Sequence, residues 1–219
     1  MRRSLMKSIL GTVAAVGMMT VAHATPVLDL GYSTGGSVTA LASGVSNFIN
    51  QTYTFGSYSV AVAANDYGLY SFDLSVNGGV GQGTFTSPVT LYLTEQGISG
   101  VGPVAVTGFL TNTPQTSPPT SLTLLVYGST TNAEFTGTML GSDTINPGSA
   151  ISASVFYPSF TAVGPYSLTQ AIEITPNSSG PTLISVDSRV SVPEPGSLAL
   201  LGTGLVALGL LVRKRQKRA

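Results

Sequence analysis

The chain has 219 residues, enough for one all-β domain of ordinary size. Only 8% of them are charged, against about 25% in an average soluble protein, and the formal charge of zero hides a segregation of signs. Between residues 25 and 192 only Arg189 stands against Asp29, Asp66, Asp73, Glu95, Glu134, Asp143, Glu173 and Asp187, one base against eight acids and therefore −7. A body so poor in Lys and Arg excludes nucleic acid as a partner, because phosphate contacts need those side chains. The chain has no Cys, and its one His is His23; residues 25–192 therefore hold no disulfide, no Ser–His–Asp or Cys–His pair and no Cys- or His-ligated zinc.

Residues 1–24 have the order of a signal peptide. Arg2, Arg3 and Lys7 form a positive start, residues 9–21 are uncharged and apolar, and Ala22-His23-Ala24 supplies the small-x-small pattern read by signal peptidase. The apolar run is too short to span a bilayer comfortably. Export with cleavage after Ala24 is expected, the signal segment entering the translocon as a short helix.

Residues 25–192 read as strands. Tyr70, Phe72, Leu74 and Val76 alternate with Ser71, Asp73 and Ser75, the period-2 pattern of a half-buried strand. Asn77-Gly78-Gly79 then predicts a turn, with residues 80–86 returning as the hairpin partner. Upstream, the apolar phase slips within residues 52–63, from Tyr53 and Phe55 to Tyr58, Val60 and Val62, which predicts a bulge or tight turn at Gly56-Ser57. Val89, Leu91 and Leu93 alternate with Thr90, Tyr92 and Thr94, and further runs occupy 104–109, 122–127, 135–140, 151–157, 168–175 and 183–192. Residues 38–48 come nearest to a helical pattern but are interrupted by Gly and Ser. Eight to ten short strands punctuated by Gly, Pro and Asn predict an antiparallel β-sandwich or jelly roll. Residues 111–120 are a polar, proline-rich loop, read as a surface loop of one domain and not as a linker between two.

At the C-terminal end Val192-Pro193-Glu194-Pro195 precedes an apolar segment, residues 196–212, and then Arg213, Lys214, Arg215, Lys217 and Arg218. Seventeen residues make a helix of roughly 25 Å, at the short edge of a membrane span. The basic cluster keeps its own side cytoplasmic. The prolines hold the triplet out of helix at the outer face. These three parts in this order resemble a PEP-CTERM sorting signal. The resemblance covers 193–219 and implies export from a Gram-negative bacterium, recognition by an exosortase, and transit through the inner membrane on residues 196–212 to the cell surface or extracellular matrix. The expected organisation is thus a signal peptide (1–24), a β-sandwich ectodomain (25–192) and a sorting signal with a transmembrane helix and basic tail (193–219).

Candidate chemistry in the body is sparse. Asp66 and Asp73 flank one strand and would be the carboxylate pair of a glycosidase, although Asn65-Asp66-Tyr67-Gly68 is ordinary turn chemistry and Asp73 alternates outward. No cofactor is required by any motif. A calcium ion would draw on Asp66, Asp143 or Asp187, but no D-x-D-x-D spacing supports it. Tyr53, Tyr58, Tyr67, Tyr70 and Phe72 crowd one region, and of these Tyr67, in a turn, is the residue placed to stack on a sugar ring. The reading favoured by missing His and Cys and by scattered acids is a sorted, non-catalytic protein of the surface or matrix, structural, adhesive or associated with exopolysaccharide. The alternative is a membrane-anchored β-sandwich enzyme acting on glycans through carboxylates alone.

Overall fold

The computed structural model describes residues 26–45, 47–55, 58–66, 71–80, 88–99, 101–148, 151–177, 182–192 and 204. The signal segment, the span 196–212 apart from Gly204, and the basic tail lie outside them. Among the described residues no helix is long and apolar enough to cross a membrane.

The described chain is all-β. Its strands are β1 (Val27–Ser33), β2 (Thr39–Val45), β3 (Phe48–Phe55), β4 (Tyr58–Asp66), β5 (Ser71–Val80), β6 (Val89–Ile98), β7 (Val101–Ala105), β8 (Thr107–Asn112), β9 (Ser121–Ser129), β10 (Thr138–Ile145), β11 (Ser152–Phe156), β12 (Ser159–Val163), β13 (Tyr166–Thr175) and β14 (Leu183–Ser191). One six-stranded sheet runs β10-β9-β13-β6-β1-β2, a second runs β11-β8-β14-β5-β4-β3, and β12 pairs with β7 alone. Every pairing is antiparallel. Both large sheets take strands from either side of the loop between β8 and β9. That loop is tied down by backbone bonds from Thr113 to Ser185, from Thr120 to Thr175 and from Leu183 to Ser117.

Alternation decides which face is buried. Leu91 and Leu93 of β6, Leu122, Leu124 and Val126 of β9, and Ile172 and Ile174 of β13 face Val60 and Val62 of β4, Phe72, Leu74 and Val76 of β5 and Val186 and Val190 of β14 in one apolar core. A buried polar bridge joins the two sheets through that core. Gln170 of β13 donates to the Phe72 carbonyl at 3.4 Å, and Ser188 of β14 donates to Gln170 Oε1 at 2.9 Å.

The first sheet is also covered on its outer side, where Thr94, Ser167, Thr169 and Ala171 are buried. The segment 130–137 between β9 and β10 lies over them. Phe135 donates its N–H to Thr94 Oγ1 at 3.0 Å, Ser167 Oγ donates to the Ala133 carbonyl at 2.6 Å, and Gly97 N donates to Asn132 Oδ1 at 2.7 Å. The Phe135 ring meets Tyr92 edge-on at 6.3 Å. Phe135 holds a left-handed φ of 49° to do so, a conformation that costs a non-glycine residue on the order of 1 kcal/mol or more.

Several strand expectations shift. Asn77-Gly78-Gly79 is not a turn: it continues β5, pairing Asn77 with both Ala61 and Ser185. The partners of β5 are β4 and β14, and residues 81–87 lie outside the described residues. The phase slip at 56–57 separates two strands that pair from Phe55↔Tyr58 to Phe48↔Asn65, as a tight connection requires. The run 104–109 divides at Val106 into β7 and β8, because Val106 N–H bonds to the Pro158 carbonyl at 2.8 Å, outside either ladder. The run predicted at 135–140 begins three residues later, at Thr138, since Phe135 belongs to the covering segment.

Candidate functional site

A concavity lies where β9 ends and β10 begins. β9 closes with Gly128 and Ser129, both buried. The Ser129 hydroxyl is committed to the bend that follows: it pairs with Thr131 Oγ1 at 3.0 Å and accepts from the N–H groups of Thr131 and Ala133 at 3.4 Å. The chain returns through Gly137, whose φ of 143° favours glycine. A Cβ there would stand 2.5 Å from the Gly128 carbonyl oxygen, so this position is closed to side chains on both grounds. β12 lies across the opening and lays Phe160 over Gly128, whose added Cβ would meet the ring at 3.4 Å. Phe160 is held in turn by an edge-on contact with buried Tyr166, centroids 5.2 Å apart.

The result is an open cleft of about 580 Å³. Its apolar lining is Phe160, Leu140 and Met139, the last 56% exposed. Its rim carries Thr130, Thr136, Thr138, Ser159 and Thr161, all exposed. The hydroxyls of these five form no hydrogen bond with another described residue. No charged side chain lines the cleft.

The residues nominated from sequence do not converge. Asp66 ends β4 on the face of Val60, Val62 and Ala64, toward the core. Asp73 alternates with Phe72 and Leu74 and points to the opposite face, where it accepts from Asn65 N at 3.0 Å. The two carboxylates thus stand on opposite faces of one sheet. Asp143 sits on edge strand β10, accepting from Ser154 Oγ of β11 and from Thr144 N, bonds that hold its carboxyl below the usual range. Asp187 lies on the outer face of the second sheet, accepting from Ser75 Oγ at 2.8 Å; burial first, and then Asp73, push its carboxyl up. Asp66, Asp143 and Asp187 are therefore on three different surfaces. Among the described residues no three acidic groups are grouped for a metal ion. Tyr53 is half-buried with no partner for its hydroxyl among the described residues, and Phe72 is core. Tyr67, Tyr70 and the Tyr58 side chain lie outside the described residues, as do Ala22 and Ala24.

Two features escaped the sequence reading. The cleft is assembled from three separated segments of Ser, Thr and Gly, residue types that occur throughout this chain, so no spacing announces it. The other is Glu95, fully buried, with neither carboxyl oxygen hydrogen-bonded to a described residue. It follows Leu91 and Leu93 on the inward side of β6, and that alternation was its one available signal. Burial, then the charge of Asp66, raise its pKa to about 8.

Of the C-terminal motif the structure describes Val192, which is buried, and the strand before it. β14 is a central strand, paired with β5 and β8. Pro193, Glu194, Pro195 and the basic residues from Arg213 to Arg218 lie outside the described residues.

Residues 191–216 match the family model of the PEP-CTERM protein-sorting motif. This bears out the resemblance and its confinement to one end of the chain; it implies export and a membrane-associated sorting step. No curated protein matches the chain. Among solved structures, the enzymatically active domain of tailspike protein 4 from bacteriophage CBA120 aligns at a TM-score of 0.38 and 10% identity, over 67% of this chain and 19% of that one. CBM28, a module specific for non-crystalline cellulose, aligns at 0.37 and 9% identity over 61% and 79%. The K1 cleaved adhesin domain of Lys-gingipain from Porphyromonas gingivalis W83 aligns at 0.34 and 13% identity over 67% and 98%. At these scores they assign neither fold family nor ligand.

Proposed function

We propose that the protein is a non-catalytic component of the cell surface or extracellular matrix, handed to an exosortase by its C-terminal signal and serving a structural, adhesive or exopolysaccharide-associated role. The observation that carries this reading is the sorting motif at 191–216, which begins at the last residue of β14. The dispersal of the acids supports the non-catalytic part. General acid–base hydrolysis of a glycosidic bond needs two carboxyl groups flanking one bond, and Asp66 and Asp73 point to opposite faces of their sheet.

Fractionation of the producing cells tests the sorting. Replacing Pro193, Glu194 and Pro195 by alanine is expected to move the chain from the surface or matrix fraction to the inner membrane. An unchanged distribution overturns the reading. Incubation of the purified full chain with the producer's own exopolysaccharide is expected to give retention without turnover. Turnover abolished by Asp66→Asn or Asp73→Asn would replace this role with an enzymatic one.

A further inference from the structure

We infer that the cleft between the β9–β10 connection and β12 is a binding site for a neutral polysaccharide, one without uronate, sulfate or phosphate groups. The inference rests on the proposed matrix role and specifies the site and ligand chemistry within it. Size is the first argument. A cleft of about 580 Å³ falls within the range of small-ligand sites, roughly 300–1,000 Å³, and being open to solvent has room for a few sugar units of a longer chain.

Polarity is the second. A sugar ring presents hydroxyls at its edge and C–H groups on its faces. The cleft answers with five exposed hydroxyls in its lining, those of Thr130, Thr136, Thr138, Ser159 and Thr161, beside the apolar ring of Phe160. Ser129, the hydroxyl that secures the bend, is already engaged, whereas the five at the rim bond to no other described residue and are free to donate to and accept from a ligand. The Phe160 ring is fixed by Tyr166 before any ligand arrives, so little ordering is needed on binding.

Charge selects among polysaccharides. The lining has no charged side chain, and Arg189, the one basic residue of 25–192, is on β14 of the other sheet, outside the lining. A polyanionic glycan would approach a domain of charge −7, one base against eight acids, with nothing in the cleft to compensate. A neutral chain meets no such penalty.

The glycan is held at positions that can be altered without touching the core. The full chain, purified in detergent, is titrated against soluble neutral glucans and mannans and against alginate, by affinity electrophoresis and calorimetry. Two variants accompany it: Thr136→Val with Thr138→Val, which removes two rim hydroxyls, and Thr161→Trp, which fills the cleft from an exposed position. An unchanged melting temperature shows that each variant is folded. The expected result is binding to at least one neutral glycan, weakened on the order of tenfold or more in both variants. Neutral-glycan binding that both variants retain overturns the cleft as its site but leaves the matrix role standing. Alginate binding with no neutral-glycan binding overturns the ligand class where both variants weaken it, and the cleft as a site where they do not, the basic residues from Arg213 to Arg218 then holding the polyanion; either way the matrix role stands. Failure to bind any of these glycans, or the producer's own exopolysaccharide, overturns the site and the polysaccharide association together.

Discussion

Glu95 is the residue with most to say about stability. An acid buried without a hydrogen bond is far better neutral than charged. With its pKa raised from 4.5 to about 8, the folded protein keeps a proton at neutral pH that the unfolded chain releases. Its contribution to stability is therefore fully present below pH 4.5, declines at about 1.4 kcal/mol per pH unit through the interval up to its folded pKa, and is flat above it. Glu95→Gln keeps the shape and removes the titration. Thermal melts from pH 4 to pH 9 are expected to show a melting temperature that falls with pH in the wild type relative to the variant. The variant should be the more stable protein at pH 9. Parallel curves would mean that Glu95 does not titrate in this window. In the sequence only the period-2 step from Leu91 and Leu93 marks Glu95 apart from the other acids.

At the scale of elements, close packing of strands decides what glycine does. Gly78 lies within β5 opposite Val60, and a Cβ on it would fall 2.4 Å from the Ser59 carbonyl oxygen and 2.8 Å from the Val60 Cα. Both are backbone atoms and cannot turn aside. Gly78→Ala is expected to destabilise by about 1–3 kcal/mol in chemical denaturation. Gly36→Ala, in an open turn with nothing within 4 Å of the added carbon, should change stability by less than about 0.5 kcal/mol. Equal effects would contradict this account of β5.

The same position explains where sequence reading failed. Asn-Gly-Gly is strong turn chemistry, yet β4 and β14 on either side of β5 hold it extended, and a local propensity yields to two ladders. Strands with one wet face, such as β5 and β9, are plain in the sequence because Phe72, Leu74 and Val76, or Leu122, Leu124 and Val126, alternate with polar residues. β1 was missed. Its Leu28, Asp29 and Leu30 are all buried, Asp29 being satisfied at one oxygen by Ser43 and Gly44 of β2, so no simple alternation with solvent survives. Phe135 heads the run 135–140 in the sequence but stands outside β10. Its ring instead covers the outer face of the first sheet, which only the fold can reveal.

The whole molecule divides by charge and by fold along the same lines. Eight of the nine bases lie in residues 1–24 and 213–218, and the β-domain between them keeps one. Removal of both ends would leave an acidic, Lys-free body with Arg189 as its one base. Within that body each large sheet draws strands from before and after the 113–120 loop, so neither half has a sheet of its own. Unfolding by urea is expected to be a single transition, coincident by far-UV circular dichroism and tyrosine fluorescence. Two separated transitions would show the halves to be independent.

The central claim is that the β-domain reaches the surface or matrix after losing its C-terminal signal. Intact-mass and C-terminal peptide analysis of the protein recovered from the matrix of its producer tests this directly. The account predicts a species that retains β14 through Ser191 and lacks Arg213, Lys214, Arg215, Lys217 and Arg218. A chain found only in the inner membrane with all five of those residues still attached would contradict it.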